Sequence, residues 1–160
     1  MKLYHGSNVS VSNPNILVTN KTSDFGPGFY TTSSYKQAKN WSFLKASRQD
    51  KGSPTMSIFE IDESIIKKHL SVKEFTSPTE EWLDFVVDNR TNKYKGIKYD
   101  LVIGPVADDK TITVVQAYMR KTLTKEIAIQ LLEPQNLDDQ YAFLTTKALK
   151  YLTYKGSESL

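Results

Sequence analysis

The stretch Asp24-Phe-Gly-Pro-Gly-Phe-Tyr-Thr-Thr-Ser-Ser-Tyr-Lys-Gln-Ala-Lys-Asn-Trp41 decides how the rest of the chain is read. Gly26, Pro27 and Gly28 stand in a row where a plain strand would carry side chains. Glycine permits positive φ and close approach, and proline fixes φ and removes a donor. Together they predict a rigid loop that presents Phe29 and Tyr30 in a set direction. In an extended backbone the two rings face opposite ways, so one packs inward while the other lines a cleft as a flat stacking face. Ser33 or Ser34 then caps a helix from about Tyr35 to Ser47, with Ala38, Trp41 and Leu44 at helical spacing. Taken alone, the stretch is equally well a tight turn carrying core aromatics.

Before it, Lys2-Leu-Tyr-His5 predicts a strand that ends at a histidine and breaks at Gly6-Ser7-Asn8. Residues 8–23 read as a loop with one apolar piece, Ile16-Leu17-Val18. After it, Thr55-Met-Ser-Ile-Phe-Glu-Ile61 alternates as a strand. Asp62 to Leu70 reads as a short helix with Ile65, Ile66 and Leu70 on its apolar side, and Val72 to Phe75 as a brief extended piece. Ser77-Pro78-Thr79-Glu80 has the pattern of a capping box, with Ser77 at N-cap, opening a helix through Trp82 to Arg90. Thr91 to Lys98 is a basic loop, and Tyr99 to Val106 a buried strand whose Pro105 marks an edge or bulge.

Thr111 to Met119 fits strand or helix, and Thr124 to Glu133 a helix stopped by Pro134. Gln140-Tyr-Ala-Phe-Leu144 alternates as a strand, Thr145 caps a short helix, and Tyr151 to Tyr154 is a last strand. Strands and helices mix without regular βαβ alternation, which gives an α+β class. With no internal repeat or linker, the expectation is a single domain over residues 1–160.

Composition sets limits. The chain has no cysteine, which excludes disulfides and thiolate metal sites, and His5 and His69 are its only imidazoles, so no metal is expected. No apolar run approaches the ~18 residues of a membrane span, and Met1-Lys-Leu-Tyr-His5 lacks a signal-peptide core. The expected setting is cytoplasmic, without membrane contact. A net charge of +3 neither requires nor excludes a nucleic-acid partner.

Chemistry-bearing residues are few. A neutral His5 at a strand end can donate to a hydroxyl, and Gly6 lets the backbone approach a ligand; a histidine that merely ends a strand fits as well. Trp41 is a second stacking surface or a core residue of an amphipathic helix. The acidic pairs have local explanations. Glu80-Glu81 suits a helix first turn, Asp108-Asp109 precedes Lys110 in a turn, and Asp138-Asp139 lies in a loop. Gly26-Pro-Gly28 is too short for a phosphate loop, and no Gly-x-Ser-x-Gly elbow occurs.

Leu3-Tyr4-His5-Gly6-Ser7, then Gly28-Phe29-Tyr30 leading to Trp41, then Gln140-Tyr141-Ala142-Phe143, resemble in order the ADP-ribosyltransferases of the His–Tyr–Glu class, the diphtheria-toxin and poly(ADP-ribose)-polymerase type. Asp24 to Thr32 with Gln37-Ala38 and Trp41 is more closely similar to a bacterial family of uncharacterised ADP-ribosyltransferase-like proteins, often encoded beside a small antitoxin-like partner. The resemblance implies split antiparallel sheets with flanking helices and a central cleft for NAD as co-substrate. It implies a transferase, a glycosyltransferase in reaction class, that moves ADP-ribose to a protein or nucleic-acid acceptor as the toxin of a toxin–antitoxin pair.

By the same resemblance His5 bonds a ribose and the nicotinamide amide, the Gly6 backbone holds the carboxamide, and Ser7 reaches the adenine-side ribose. Tyr30 stacks on nicotinamide with Trp41 on its other face or edge. Gln140 takes the place of the glutamate that bonds the nicotinamide-ribose 2′-hydroxyl. Ala38 replaces a serine that bonds the carboxamide in related enzymes, a task left to Thr31 or Thr32.

Gln140 still accepts from a hydroxyl, but without charge. Charge-assisted bonds are roughly twice as strong as neutral ones, so ~1–2 kcal/mol and about tenfold in rate are forfeited. Glutamine is also no base, which favours single transfer over polymer growth. A non-catalytic NAD- or ADP-ribose-binding module and an NAD glycohydrolase are the alternatives. The cholera-toxin-like subclass is set aside because no Glu-x-Glu occurs.

Overall fold

A computed structural model describes residues 1–16, 23–108 and 110–160. The apolar piece expected at Ile16-Leu17-Val18 falls mostly outside the described residues, as does Asp109 of the acidic turn.

The architecture is mixed α and β, with two open sheets and, among the described residues, six helices. The first sheet orders β1 (Lys2–Ser7), β3 (Thr55–Glu60) and β7 (Thr153–Ser159) as β1-β3-β7, all antiparallel. The second orders β2 (Phe29–Thr31), β6 (Asp139–Phe143), β5 (Leu101–Pro105) and β4 (Val72–Glu74) as β2-β6-β5-β4. Only β4 and β5 run parallel among these pairs. The sheets meet at edge strands β1 and β2 through one bridge, in which Tyr4 and Thr32 exchange N–H···O bonds of 2.8 and 3.0 Å.

Alternation along the strands sends side chains into two apolar clusters. One lies between the sheets, where Leu3 and Phe59 meet Phe29, Ile103 and Phe143, closed by Ile66 of α2 (Glu63–His69) and Ala148 of α6 (Thr146–Leu149). The other lies on the opposite face of the second sheet. There Val102 and Ala142 pack under α3 (Glu80–Arg90), α4 (Ile112–Met119) and α5 (Lys125–Leu132) through Trp82, Val115 and Leu132.

Helix α1 (Tyr35–Gln49) begins as Ser34 predicts, its side chain accepting from Gln37 N–H. Its buried seam is Ala38 and Ser42, however, while Leu44 of the expected stripe is 42% exposed. The seam is narrow because α1 crosses β1 at Gly6. A Cβ there would stand 1.9 Å from the Ala38 carbonyl oxygen, so only glycine admits the helix backbone.

The start of α3 also differs from the sequence pattern. Thr79, not Ser77, is N-cap, with its hydroxyl accepting from Trp82 N–H at 3.3 Å. The register is set by Trp82, which is fully buried and donates its indole N–H to Pro105 O at 3.0 Å. Burial of such a ring, worth on the order of 2–3 kcal/mol, outweighs the choice between two capping hydroxyls.

Three further expectations change. In α2 only Ile66 is buried, and Ile65 faces solvent. The ambiguous segment after Thr111 is helical from Ile112. The last strand runs later and longer than Tyr151 to Tyr154, because β3 offers its whole free edge to Thr153–Ser159 across a register shift at Ile58/Phe59. Pro105 closes the interior strand β5 as its last residue, where a missing N–H interrupts nothing.

Candidate functional site at the junction of the two sheets

Strands β1, β2 and β6, which carry His5, Tyr30 and Gln140, are consecutive neighbours across the junction. Residues 25 and 110 positions apart are thereby brought to adjoining strands.

His5 sits half-buried against the Phe29 ring, with centroids 4.3 Å apart. Its Nδ1 lies 2.7 Å from the Tyr30 carbonyl oxygen. A carbonyl only accepts, so Nδ1 carries the proton and Nε2 is left as an acceptor. The sequence reading of His5 as a donor to a ligand hydroxyl is corrected accordingly: its one neutral N–H is spent on Tyr30. Burial, the largest cause, pushes the imidazole pKa down to about 4 against the Tyr30 bond, which raises it, with the Lys45 charge adding a smaller downward push, so the ring is neutral at pH 7.

Gly6 presents its backbone. Tyr4 directs its N–H and C=O toward Thr32, and alternation in an antiparallel strand directs those of Gly6 to the same side. Among the described residues the bridge to β2 is at Tyr4, so these two groups lie beyond it on the β2 side of β1. Ser7 is buried, its hydroxyl 3.4 Å from Asn8 Oδ1.

Tyr30 faces the other way from His5 and Phe29, toward the second cluster. Its hydroxyl donates to Gly26 O at 2.5 Å and accepts from Phe25 N–H at 2.9 Å. The ring therefore braces the loop that the glycines and Pro27 form. Burial, first among several causes, moves its phenol pKa far above the ordinary value. Trp41, on α1, is half-buried, and its indole N–H has no protein partner among the described residues. Thr31 and Thr32 are fully buried. The Thr31 hydroxyl donates to Tyr141 O at 3.1 Å and that of Thr32 to Asp139 Oδ1 at 3.2 Å, so both serve the scaffold.

Gln140 shares the Tyr30 face of the second sheet, two residues from Ala142, the cross-strand partner of Tyr30. It is buried, and its Nε2 donates to Asp24 Oδ2 at 2.9 Å and to Pro105 O at 3.3 Å. Both partners are pure acceptors, which fixes the amide orientation. Both amide hydrogens are used, and Oε1 is the group left to accept.

Asp24 is itself buried and ion-paired with Arg90 from the last turn of α3. Arg90 Nη2 and Nε reach Asp24 Oδ1 at 2.5 and 2.7 Å, which frees Oδ2 for Gln140.

Asp24, Arg90 and Asp139 are the residues that sequence reasoning missed. Asp139 accepts from Ser33 N–H at 2.8 Å and from the Ser33 hydroxyl, tying β6 to the start of α1. Asp24 heads the decisive stretch, but its partners lie 66 and 116 residues away, and no local spacing announces them.

Two concavities lie elsewhere. One of about 720 Å³ follows Met1, Glu60–Ile65 and Tyr151, and one of about 460 Å³ lies between Phe25–Pro27, α3 and residues 92–99; neither is lined by His5, Tyr30, Trp41 or Gln140. Among the described residues no group of three acidic or imidazole side chains is placed to hold a metal, and no helix is long and apolar enough to cross a membrane.

No curated protein matches the sequence. A family model described as a protein of unknown function, DUF3990, matches residues 1–154, and the chain belongs to that family.

Proposed function

We propose that this chain is a mono-ADP-ribosyltransferase that uses NAD at the junction of the two sheets and acts on a protein or nucleic-acid acceptor, restrained in its host by a small antitoxin-like partner. The observation that carries the reading is the adjacency of β1, β2 and β6, with a tautomer-fixed His5 and an amide-fixed Gln140.

The donor set suits the co-substrate. The Gly6 N–H and C=O, on the β2 side of β1, match the acceptor and donor of a carboxamide. Nε2 of His5 accepts from a ribose hydroxyl and stays neutral through the physiological range. Oε1 of Gln140 accepts from a second hydroxyl, and Trp41 offers the free aromatic face. Tyr30 holds the loop rather than lending its hydroxyl to a ligand. Bound NAD would supply an activated ribose carbon: its bond to nicotinamide breaks, nicotinamide leaves with the electron pair, and the acceptor's lone pair makes the new bond while its proton passes to solvent.

Gln140 brings no charge to that carbon, and Asp24 does not replace it. The Asp24 charge is neutralised by Arg90, and its second oxygen is occupied by the Gln140 amide. No group at this position takes a proton from an attacking sugar hydroxyl, which favours one transfer over chain growth. The same neutrality favours a second reading, an NAD-binding module without turnover. Incubating the protein with radiolabelled NAD and a cell lysate separates them: label on macromolecule supports transfer, ADP-ribose alone indicates a glycohydrolase, and binding without product indicates the module.

A further inference from the structure

We propose that the cavity between α3 and the loop preceding β5 is a second site, which binds a nucleotide unit with its base among the aromatic walls and its phosphate on the loop lysines. Its volume of about 460 Å³ lies within the ~300–1,000 Å³ of small-molecule sites. Phe25, Phe85, Tyr94 and Tyr99 line it.

The Tyr94 ring is held before any ligand arrives. Its hydroxyl donates to Ile97 O at 2.6 Å, and Phe85 meets it edge-on with centroids 4.9 Å apart. Gly96 passes so close that a Cβ would come within 2.7 Å of the Tyr94 hydroxyl oxygen and 2.8 Å of the ring. Fixing an aromatic on an otherwise exposed loop lowers the ordering cost of stacking.

The polar groups suit a base edge. Asn89 donates its amide N–H back to Phe85 O at 2.9 Å, which leaves Oδ1 beneath Gly26 as an acceptor at the cavity wall. The charge suits a phosphate. Lys93, Lys95 and Lys98 are exposed and make no ion pair among the described residues, and Arg90 is already committed to Asp24. A braced aromatic pocket with Lys98 in its wall, and Lys93 and Lys95 on the same loop, is an arrangement that binds bases by stacking and backbone by charge.

The probes are a short fluorescein-labelled single-stranded RNA of mixed sequence and the free mononucleotides AMP and UMP. The wild type should bind with a log–log salt slope of about −2 for the strand, from roughly −0.7 per phosphate over three contacts. Replacing the three lysines with glutamine should weaken binding at least about tenfold and flatten that slope, with Tm unchanged. Tyr94→Leu should weaken it by about five- to a hundredfold. Strand binding far tighter than mononucleotide binding identifies a nucleic acid as the source, and equal affinities identify a free nucleotide. Failure of both probes to bind, or binding unaffected by the lysine variant and by Tyr94→Leu, would each overturn the second site.

Discussion

The side-chain amide of Gln140 donates to Asp24 Oδ2 at 2.9 Å, and through Asp24 it is tied to Arg90. One buried polar chain thus joins the first residue of the glycine-proline loop, the end of α3 and the start of β6. A network of this kind stabilises only when every member is satisfied, and no buried side-chain N or O among the described residues lacks a partner.

Gln140→Glu tests that chain directly. Glutamate restores the residue type expected from the transferase resemblance, but it turns a donor into a second acceptor facing Asp24 Oδ2 and Pro105 O. The variant should lose about 2–4 kcal/mol of stability in urea unfolding and should gain no NAD turnover. A stable variant with raised turnover would show that the Asp24 contact does not fix residue 140.

Arg90→Met leaves the buried Asp24 carboxylate unpaired, at a cost of about 3 kcal/mol or more. Adding Asp24→Asn removes the uncompensated charge, so the double variant should be more stable than Arg90→Met alone. Additive losses in a double-mutant cycle would contradict the pairing.

Gly6→Ala forces a Cβ against the Ala38 carbonyl oxygen. With β1 fixed by β3, helix α1 must shift, and overpacking of this kind costs about 1–3 kcal/mol or more. Differential scanning calorimetry should show the loss, and hydrogen exchange should place it in α1 rather than in the second sheet.

His5 makes the fold acid-sensitive. Its folded pKa, about 4, lies below the unfolded value near 6.5, so the unfolded chain binds the extra proton between them. The contribution is fully present above about pH 6.5 and is lost as pH falls toward 4, by on the order of 3 kcal/mol at most. The difference in unfolding free energy between wild type and His5→Gln should shrink across that window and stay constant above it. A constant difference down to pH 4 would mean the ring is charged in the folded protein.

Much of the fold is legible in the sequence because local chemistry sets it. Ser34 and Thr145 cap the helices they foreshadow, a helix follows Thr124, and the alternation of Gln140 to Phe143 matches β6. Where tertiary demands compete, local signals lose. Trp82 moves the α3 cap to Thr79, and the crossing at Gly6 narrows the buried seam of α1. The strands that carry His5, Tyr30 and Gln140 are neighbours. The roles of individual atoms were not legible: that His5 spends its N–H on Tyr30, that Tyr30 braces its own loop, and that Gln140 is held by Asp24 all depend on long-range contacts without a local pattern.

In the proposed site Trp41 bears on NAD binding alone. Half-buried and without an indole partner among the described residues, it should be removable with little loss of stability. Trp41→Ala should weaken NAD binding by about five- to a hundredfold, the range for loss of one stacking contact, with Tm nearly unchanged. A large drop in Tm with no change in affinity would make Trp41 a core residue.

The central claim is that the junction of β1, β2 and β6 turns over NAD, and nicotinamide release from NAD in the presence of lysate tests it most directly. Wild-type protein should release nicotinamide and label a macromolecule, and a folded Gln140→Ala variant should be slower by about tenfold or more. No release by the wild type, or equal release by Gln140→Ala, would contradict it.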